Sequence, residues 1–215
     1  MKALPNILTS VRILIGLAVF VCLAGAAGAV PGLSGRLTGD AQFALLEWAL
    51  YLYVLAASTD FFDGWLARRM EAESAWGAVL DPIADKILLA GTVLGLLSQG
   101  AQPYVSAIAV PSALIIFREF FVSALRETTA AKGMRLSVTL LAKWKTTVQL
   151  VALGLVLLVA AWPSLGRYGL EVGPGLFDTL QTLAYGGMWL AAALTVWTGI
   201  DYALAANRAL RTPPA

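Results

Sequence analysis

Charged residues divide this chain into long apolar runs. Between Arg12 and Arg36 lie 23 uncharged residues, between Lys86 and Arg118 there are 31, between Lys145 and Arg167 there are 21, and between Asp178 and Asp201 there are 22. About 20 apolar residues span the hydrocarbon core of a bilayer as a helix. The longest run is interrupted by the turn-like Ser98-Gln99-Gly100-Ala101-Gln102-Pro103, which splits it between two helices. Two weaker runs, starting at Phe43 and Tyr104, carry their charges only near their ends. The pattern predicts six transmembrane helices, at roughly residues 5–30, 43–67, 78–98, 104–128, 139–161 and 179–206. Backbone inside lipid must satisfy its own hydrogen bonds, so such runs are helical. The expected fold is therefore all-α, a polytopic integral membrane protein forming one domain over residues 1–215. The first run would otherwise suit a secretory signal peptide, but no convincing small-residue cleavage site followed by a soluble domain is found and further spans follow.

Composition supports the same solvent. Hydrophobic residues make up 59% of the chain and charged residues 13%, with a mean hydropathy of +0.77. An average soluble domain is about 45–50% apolar and about 25% charged. A soluble enzyme, a disordered chain and a nucleic-acid-binding module are excluded as readings, and no nucleic acid is expected as a partner. Cys22 is the only cysteine and there is no histidine. Any chemistry must then come from carboxylates, basic residues, hydroxyls or a metal held by oxygen.

With six spans both termini fall on one side of the membrane. On that side lie 13 of the 15 basic residues, with only Arg36 and Arg167 opposite. The positive-inside rule makes it the cytoplasmic side. The same partition gathers Asp60, Asp63, Asp81 and Asp85 at the cytoplasmic ends of spans two and three. Ionisable groups within spans are costly and face a cavity or each other. Short carboxylates cannot snorkel to the headgroups as lysine and arginine do.

The segment from Asp60 to Lys86 reads DFFDGWLARRMEAESAWGAVLDPIADK. Asp60 and Asp63 share a helix face, as do Asp81 and Asp85. A turn folding span three against span two sets the two pairs across a cleft. Four carboxylates in a small volume repel unless cations compensate. Hard oxygen ligands select Mg²⁺, Mn²⁺ or Ca²⁺, and four suit two divalent ions about 3.5–4 Å apart, as in phosphoryl transfer. Gly64 and Gly77 permit close backbone approach, and Arg68 is placed to neutralise a phosphate. Pro82 is expected in the first turn of span three.

Asp60, Asp63, Gly64, Ala67, Arg68, Gly77, Asp81 and Asp85 match every fixed position of D-x2-D-G-x2-A-R-x8-G-x3-D-x3-D. The chain thus resembles the CDP-alcohol phosphotransferases, whose signature this is. The resemblance implies six spans with the active site at their cytoplasmic ends, and a lipid-linked cytidine diphosphate donor. It implies two divalent cations, Mg²⁺ foremost and Mn²⁺ next, held by Asp60, Asp63, Asp81 and Asp85. An acceptor alcohol attacks the β-phosphorus, CMP leaves, and Asp85 is the general base. It also implies a homodimer among membrane lipids.

The opening Pro5-Asn6-Ile7-Leu8-Thr9-Ser10-Val11-Arg12 places Asn6, Thr9 and Arg12 on one drifting helix stripe. It resembles the P-N-x-L-T-x-x-R opening of bacterial phosphatidylglycerophosphate synthases within that family. By this resemblance Asn6, Thr9, Arg12, Asp63, Gly64, Ala67, Arg68 and Gly77 bind CDP-diacylglycerol. Glu119, Ser123 and Arg126 share a helix face through their four- and three-residue spacing. Arg118, Arg126, Lys143 and Lys145 would border a cationic patch beside the acidic site, which suits an acceptor bringing its own phosphate, sn-glycerol 3-phosphate. The stretches REFFVSALRE and KWKTTVQ are similar to the same synthases. Sibling acceptors (serine, phosphatidylglycerol or an inositol phosphate) are the nearest alternative, and a cation-coupled transporter the more distant one. Transporters bind near the bilayer midplane and often carry paired repeats, whereas the acids here lie at one end.

Overall fold

A computed structural model describes residues 3–32, 37–70, 75–133, 140–168 and 173–211. Its six α-helices are α1 (Ala3–Ala26), α2 (Gly39–Met70), α3 (Ala75–Leu97), α4 (Pro103–Ala131), α5 (Leu140–Leu165) and α6 (Pro174–Arg211), with one 3-10 turn at Gly166–Tyr168. No strand occurs among the described residues. Five of the helices are long and apolar enough to cross a membrane. The exception is α3, where every 18-residue window contains Asp81, Asp85 and Lys86.

The helix boundaries follow local chemistry. The first helix ends at Ala26, four residues before its predicted limit, because Gly28 adopts φ +69°. The Ala29 N–H reaches the Ala24 carbonyl at 2.8 Å and the Gly28 N–H reaches that of Gly25 at 2.9 Å, a Schellman closure of the last turn. Gln99 Nε2 donates to the Leu23 carbonyl at 2.7 Å, adding a second bond to the one from the Ala27 N–H and tying the start of the α3–α4 turn to α1. Pro103 opens α4 at a position where a missing N–H costs nothing. Pro82, expected in a first turn, lies inside α3, which begins at Ala75. It therefore has no N–H to offer the carbonyl one turn back, that of Ala78. The last helix has 38 residues, about 57 Å at helical rise, and outruns the apolar core of a bilayer.

Two groups of three make up the bundle. Helix α1 packs along both α2 and α3, while α6 packs along both α4 and α5, and α2 against α5 joins the groups. The expectation that span three folds directly against span two is corrected for the described residues: among them α2 and α3 touch little, and α1 lies along each. The reason is visible in the glycines. A Cβ on Gly16 would come within 3.2 Å of the Leu88 backbone, one on Gly91 within 3.0 Å of the Gly16 carbonyl, and one on Gly95 within 2.6 Å of Leu23 Cβ. Gly91 and Gly95 form a G-x-x-x-G face that lets α1 approach at backbone distance. Between the groups, Tyr53 OH donates to the Leu150 carbonyl at 2.8 Å, and its ring lies over Gly154. The core runs through Val19, Leu23, Leu88, Leu96, Ile108, Leu153, Leu157 and Met188. Outward faces carry exposed Leu14, Phe117 and Trp197, as lipid contact requires.

One end of the bundle is closed by a small ionic clasp. Arg167 pairs with Asp40 at 2.7 Å and Glu47 at 3.4 Å, and Tyr168 OH donates to Glu47 Oε2 at 3.1 Å. The Arg167 guanidinium also lies over the Phe43 ring. Arg167 is 22 residues along from Lys145, so about 33 Å of helix separates this clasp from the charged groups at the other end.

The tight α1–α3 crossing generates a prediction. Gly95→Ala drives a methyl into Leu23 and should lower the thermal midpoint in detergent, at a cost of about 1–3 kcal/mol. Gly186→Ala, where a methyl meets open space, should not lower it. Equal midpoints for Gly95→Ala and the unmodified protein would contradict the crossing.

Candidate active site

The first turns of α1 and the start of α3 meet through polar side chains. Thr9 and Arg12 lie one turn apart on α1, as Asp81 and Asp85 do on α3. Thr9 Oγ1 donates to Asp81 Oδ1 at 2.7 Å. Arg12 Nη1 reaches Asp85 Oδ1 at 3.3 Å and Nη2 reaches Asp81 Oδ1 at 3.5 Å. The Arg12 side chain is 2% exposed, whereas both carboxylates are 57% exposed. A guanidinium buried this deeply is tolerable only when paired, since a lone buried charge costs several kcal/mol. Arg12 therefore fixes two carboxylates on an open surface, with one oxygen of each engaged.

Those carboxylates form one wall of a cavity of about 710 Å³. Lys86 stands beside them. The facing wall is built from Arg118, Glu119 and Arg126 of α4 and Lys145, Thr146 and Thr147 of α5, with Tyr202 of α6. Three acidic and four basic side chains thus line one space, Asp81, Asp85 and Lys86 from α3, and Glu119 with the other three bases from α4 and α5.

Arg118 is held from three sides. Its Nη1 pairs with Glu119 Oε1 at 3.3 Å, its Nη2 donates to Thr198 Oγ1 at 2.9 Å, and its guanidinium lies 5.5 Å from the Tyr202 ring centroid. Gly199 makes room, since a Cβ there would meet Arg118 Cγ at 2.9 Å. Lys145 is buried and pairs with the same Glu119 oxygen. Lys145 is thus no interfacial anchor; burial without Glu119 would strand its charge.

The structure accordingly unites Thr9, Arg12, Asp81 and Asp85 in one cluster and Arg118, Arg126 and Lys145 on one cavity wall. Asp60, Asp63, Gly64, Ala67 and Arg68 occupy the last turns of α2, and Gly77 the first turn of α3, so the motif bridges consecutive helices. The side chains of Asn6, Asp60, Asp63, Ala67, Arg68 and Lys143 lie outside the described residues, and so does everything from 71 to 74. Among the described residues no cluster of three or more metal-ligating side chains occurs. The described pair, Asp81 and Asp85, offers hard oxygen donors open to solvent on one helix face, which fits Mg²⁺ or Mn²⁺ rather than a softer ion.

Sequence reasoning assigned no role to Glu119, although its spacing to Arg126 had already placed it on the same face. It missed Lys86, Thr146, Thr147 and Tyr202 as cavity residues. Only Gly199, one turn before Tyr202, marks α6 as a close neighbour of α4.

Comparison with known proteins agrees with this geometry. Residues 2–197 match the family model described as CDP-alcohol phosphatidyltransferase. A CDP-diacylglycerol–glycerol-3-phosphate 3-phosphatidyltransferase of Cereibacter sphaeroides is 37% identical over 223 aligned residues, covering 93% of each chain. The enzyme of the same name from Rickettsia bellii is 34% identical, with 93% of this chain and 92% of that one covered. One from Sodalis glossinidius is 37% identical over 74% of this chain and 78% of its own. By motif, match and relatives together, the chain belongs to the CDP-alcohol phosphatidyltransferase family.

Proposed function

We propose that this membrane protein transfers the phosphatidyl group of CDP-diacylglycerol to sn-glycerol 3-phosphate, giving phosphatidylglycerophosphate and CMP. The observation that carries this reading is the two-pole cavity: exposed Asp81 and Asp85 at one wall, Arg118, Arg126 and Lys145 at the other. A pyrophosphate donor and a phosphorylated acceptor each need neutralising, and a single cavity with opposed poles brings them together. The named activity of the relatives supports it.

Divalent cations accompany the family's chemistry. Asp60, Asp63, Asp81 and Asp85 are the residues to hold two of them, Mg²⁺ foremost. Bound there, they would supply charge neutralisation of the donor pyrophosphate and of the departing CMP. The rest is the protein's own work. Thr9 and Arg12 hold the two α3 carboxylates in place. With Asn6, Gly64, Ala67, Arg68 and Gly77 they form the donor side. Asp85 takes the proton of the acceptor hydroxyl as its oxygen bonds to the β-phosphorus, and the bond from that phosphorus to the oxygen shared with the α-phosphate breaks. Arg118, Arg126, Lys143 and Lys145 bind the acceptor phosphate. Arg118 and Lys145 approach it already positioned by Glu119, which reduces the ordering cost of binding.

In this reading α3 is the sixth span, both termini and the site face the cytoplasm across a bacterial inner membrane, and two copies associate. The high basic content of the site end supports that orientation.

Three outcomes follow. Asp81→Asn should lower CMP release from CDP-diacylglycerol and glycerol 3-phosphate in detergent by more than about 100-fold, with helical content kept; undiminished turnover would contradict it. Chelation with EDTA should stop CMP release and added Mg²⁺ should restore it. Arg118→Ala should raise KM for glycerol 3-phosphate about 10-fold or more while KM for the lipid donor moves little. An equal rise in both would assign Arg118 to structure alone, and consumption of serine or phosphatidylglycerol in place of glycerol 3-phosphate would change the acceptor.

A further inference from the structure

Behind the main cavity lies a smaller one of about 100 Å³. The two share Ala57, Asp85, Lys86, Glu119, Thr146 and Leu150, so the inner space adjoins the outer at Asp85. The inner wall adds Arg12, Leu88, Leu89 and Gln149. Gln149 is 5% exposed, and its Oε1 is fully buried with no hydrogen-bond donor among the described residues. Buried side-chain acceptors are nearly always paired, so one left without a donor on a residue that lines a cavity calls for a partner from outside the chain.

We propose that Gln149 is a specificity-determining residue whose amide oxygen accepts a hydrogen bond from the acceptor alcohol's second, non-attacking hydroxyl. The inference rests on the glycerol 3-phosphate reading above and deepens it. That acceptor carries an attacking hydroxyl at one end, a phosphate at the other and a hydroxyl on the carbon between. The attacking hydroxyl belongs at Asp85 and the phosphate at the basic wall. Gln149 lies one helical turn beyond Lys145 on the same face of α5 and shares the inner cavity with Asp85, so it borders the space next to the attacking hydroxyl. Among the neighbouring acceptors, Glu119 Oε1 is engaged by Lys145 and Arg118, and Asp85 is reserved for the proton it removes. A neutral amide neither competes with Asp85 for that proton nor repels the acceptor's phosphate. Ala57, Leu88, Leu89 and Leu150 supply the apolar part of the inner wall, beside the charged Arg12, Lys86 and Glu119.

The test compares glycerol 3-phosphate with 3-hydroxypropyl phosphate, which keeps the attacking hydroxyl and the phosphate and lacks the middle hydroxyl. Both are assayed by CMP release from CDP-diacylglycerol with Mg²⁺ in detergent. The unmodified protein should prefer glycerol 3-phosphate in kcat/KM by on the order of 10- to 100-fold. In Gln149→Met, of similar length but without the acceptor, that preference should fall to about twofold or less, whereas Gln149→Glu, which keeps an oxygen at the same place, should retain it. A preference preserved in Gln149→Met overturns the proposal, as does an unmodified protein that uses both alcohols equally or a Gln149→Glu protein that loses the preference. If Gln149→Met does not fold, equal use of both alcohols by the unmodified protein still overturns the proposal. Failure of the unmodified protein to use glycerol 3-phosphate at all would instead overturn the acceptor reading itself.

Discussion

A buried arginine organises this molecule. Arg12 sits in the third turn of α1 with almost no exposure, in a chain whose surroundings are lipid and apolar side chains. Asp81 and Asp85 stand across from it and compensate its charge. The pairing in turn requires α1 and α3 to lie nearly backbone to backbone, which Gly16, Gly91 and Gly95 permit. Packing, electrostatics and site geometry thus meet at one crossing. The glycines admit the helix, the helix delivers Thr9 and Arg12, and these fix two carboxylates at the mouth of the cavity.

The second pole follows the same logic with the signs reversed. Glu119 is the partly buried acid that makes Arg118 and Lys145 tolerable inside the bundle. Each pole therefore holds a structural counter-charge: Arg12 among the acids, Glu119 among the bases. Such counter-charges moderate the field without cancelling it, so each pole remains suited to a ligand of opposite sign. Gly199 and Tyr202 extend the arrangement to α6, whose backbone leaves room for the Arg118 stem and whose ring faces the guanidinium.

Much of this was legible before any coordinates. Apolar runs between charges gave all six helices, because a hydrophobic run of that length has one stable form in lipid. Their ends were less legible: Gly28 stops α1 early through its positive φ, and α3 begins upstream of Pro82. The aspartate motif was legible through fixed spacing, and the basic residues of α4 and α5 through their clustering. Which helix lies beside which was not. Direct packing of α2 on α3 is the simplest reading of a short connection, and the G-x-x-x-G face at Gly91 and Gly95 was the signal that α3 prefers another partner. Glu119 and Gln149 show the remaining limit. Helical spacing assigns a residue to a face, yet its partner, or the lack of one, depends on side chains dozens of positions away.

The account stands or falls on where divalent ions bind. The most direct measurement is a structure of the detergent-solubilised protein with Mn²⁺ and a cytidine diphosphate ligand, with manganese located by its anomalous scattering. Two peaks about 3.5–4 Å apart, ligated by Asp81 and Asp85 of α3 together with carboxylates from the end of α2, are the predicted result. Manganese bound away from α3, with Asp81 and Asp85 contacting only Arg12 and Thr9, would contradict it.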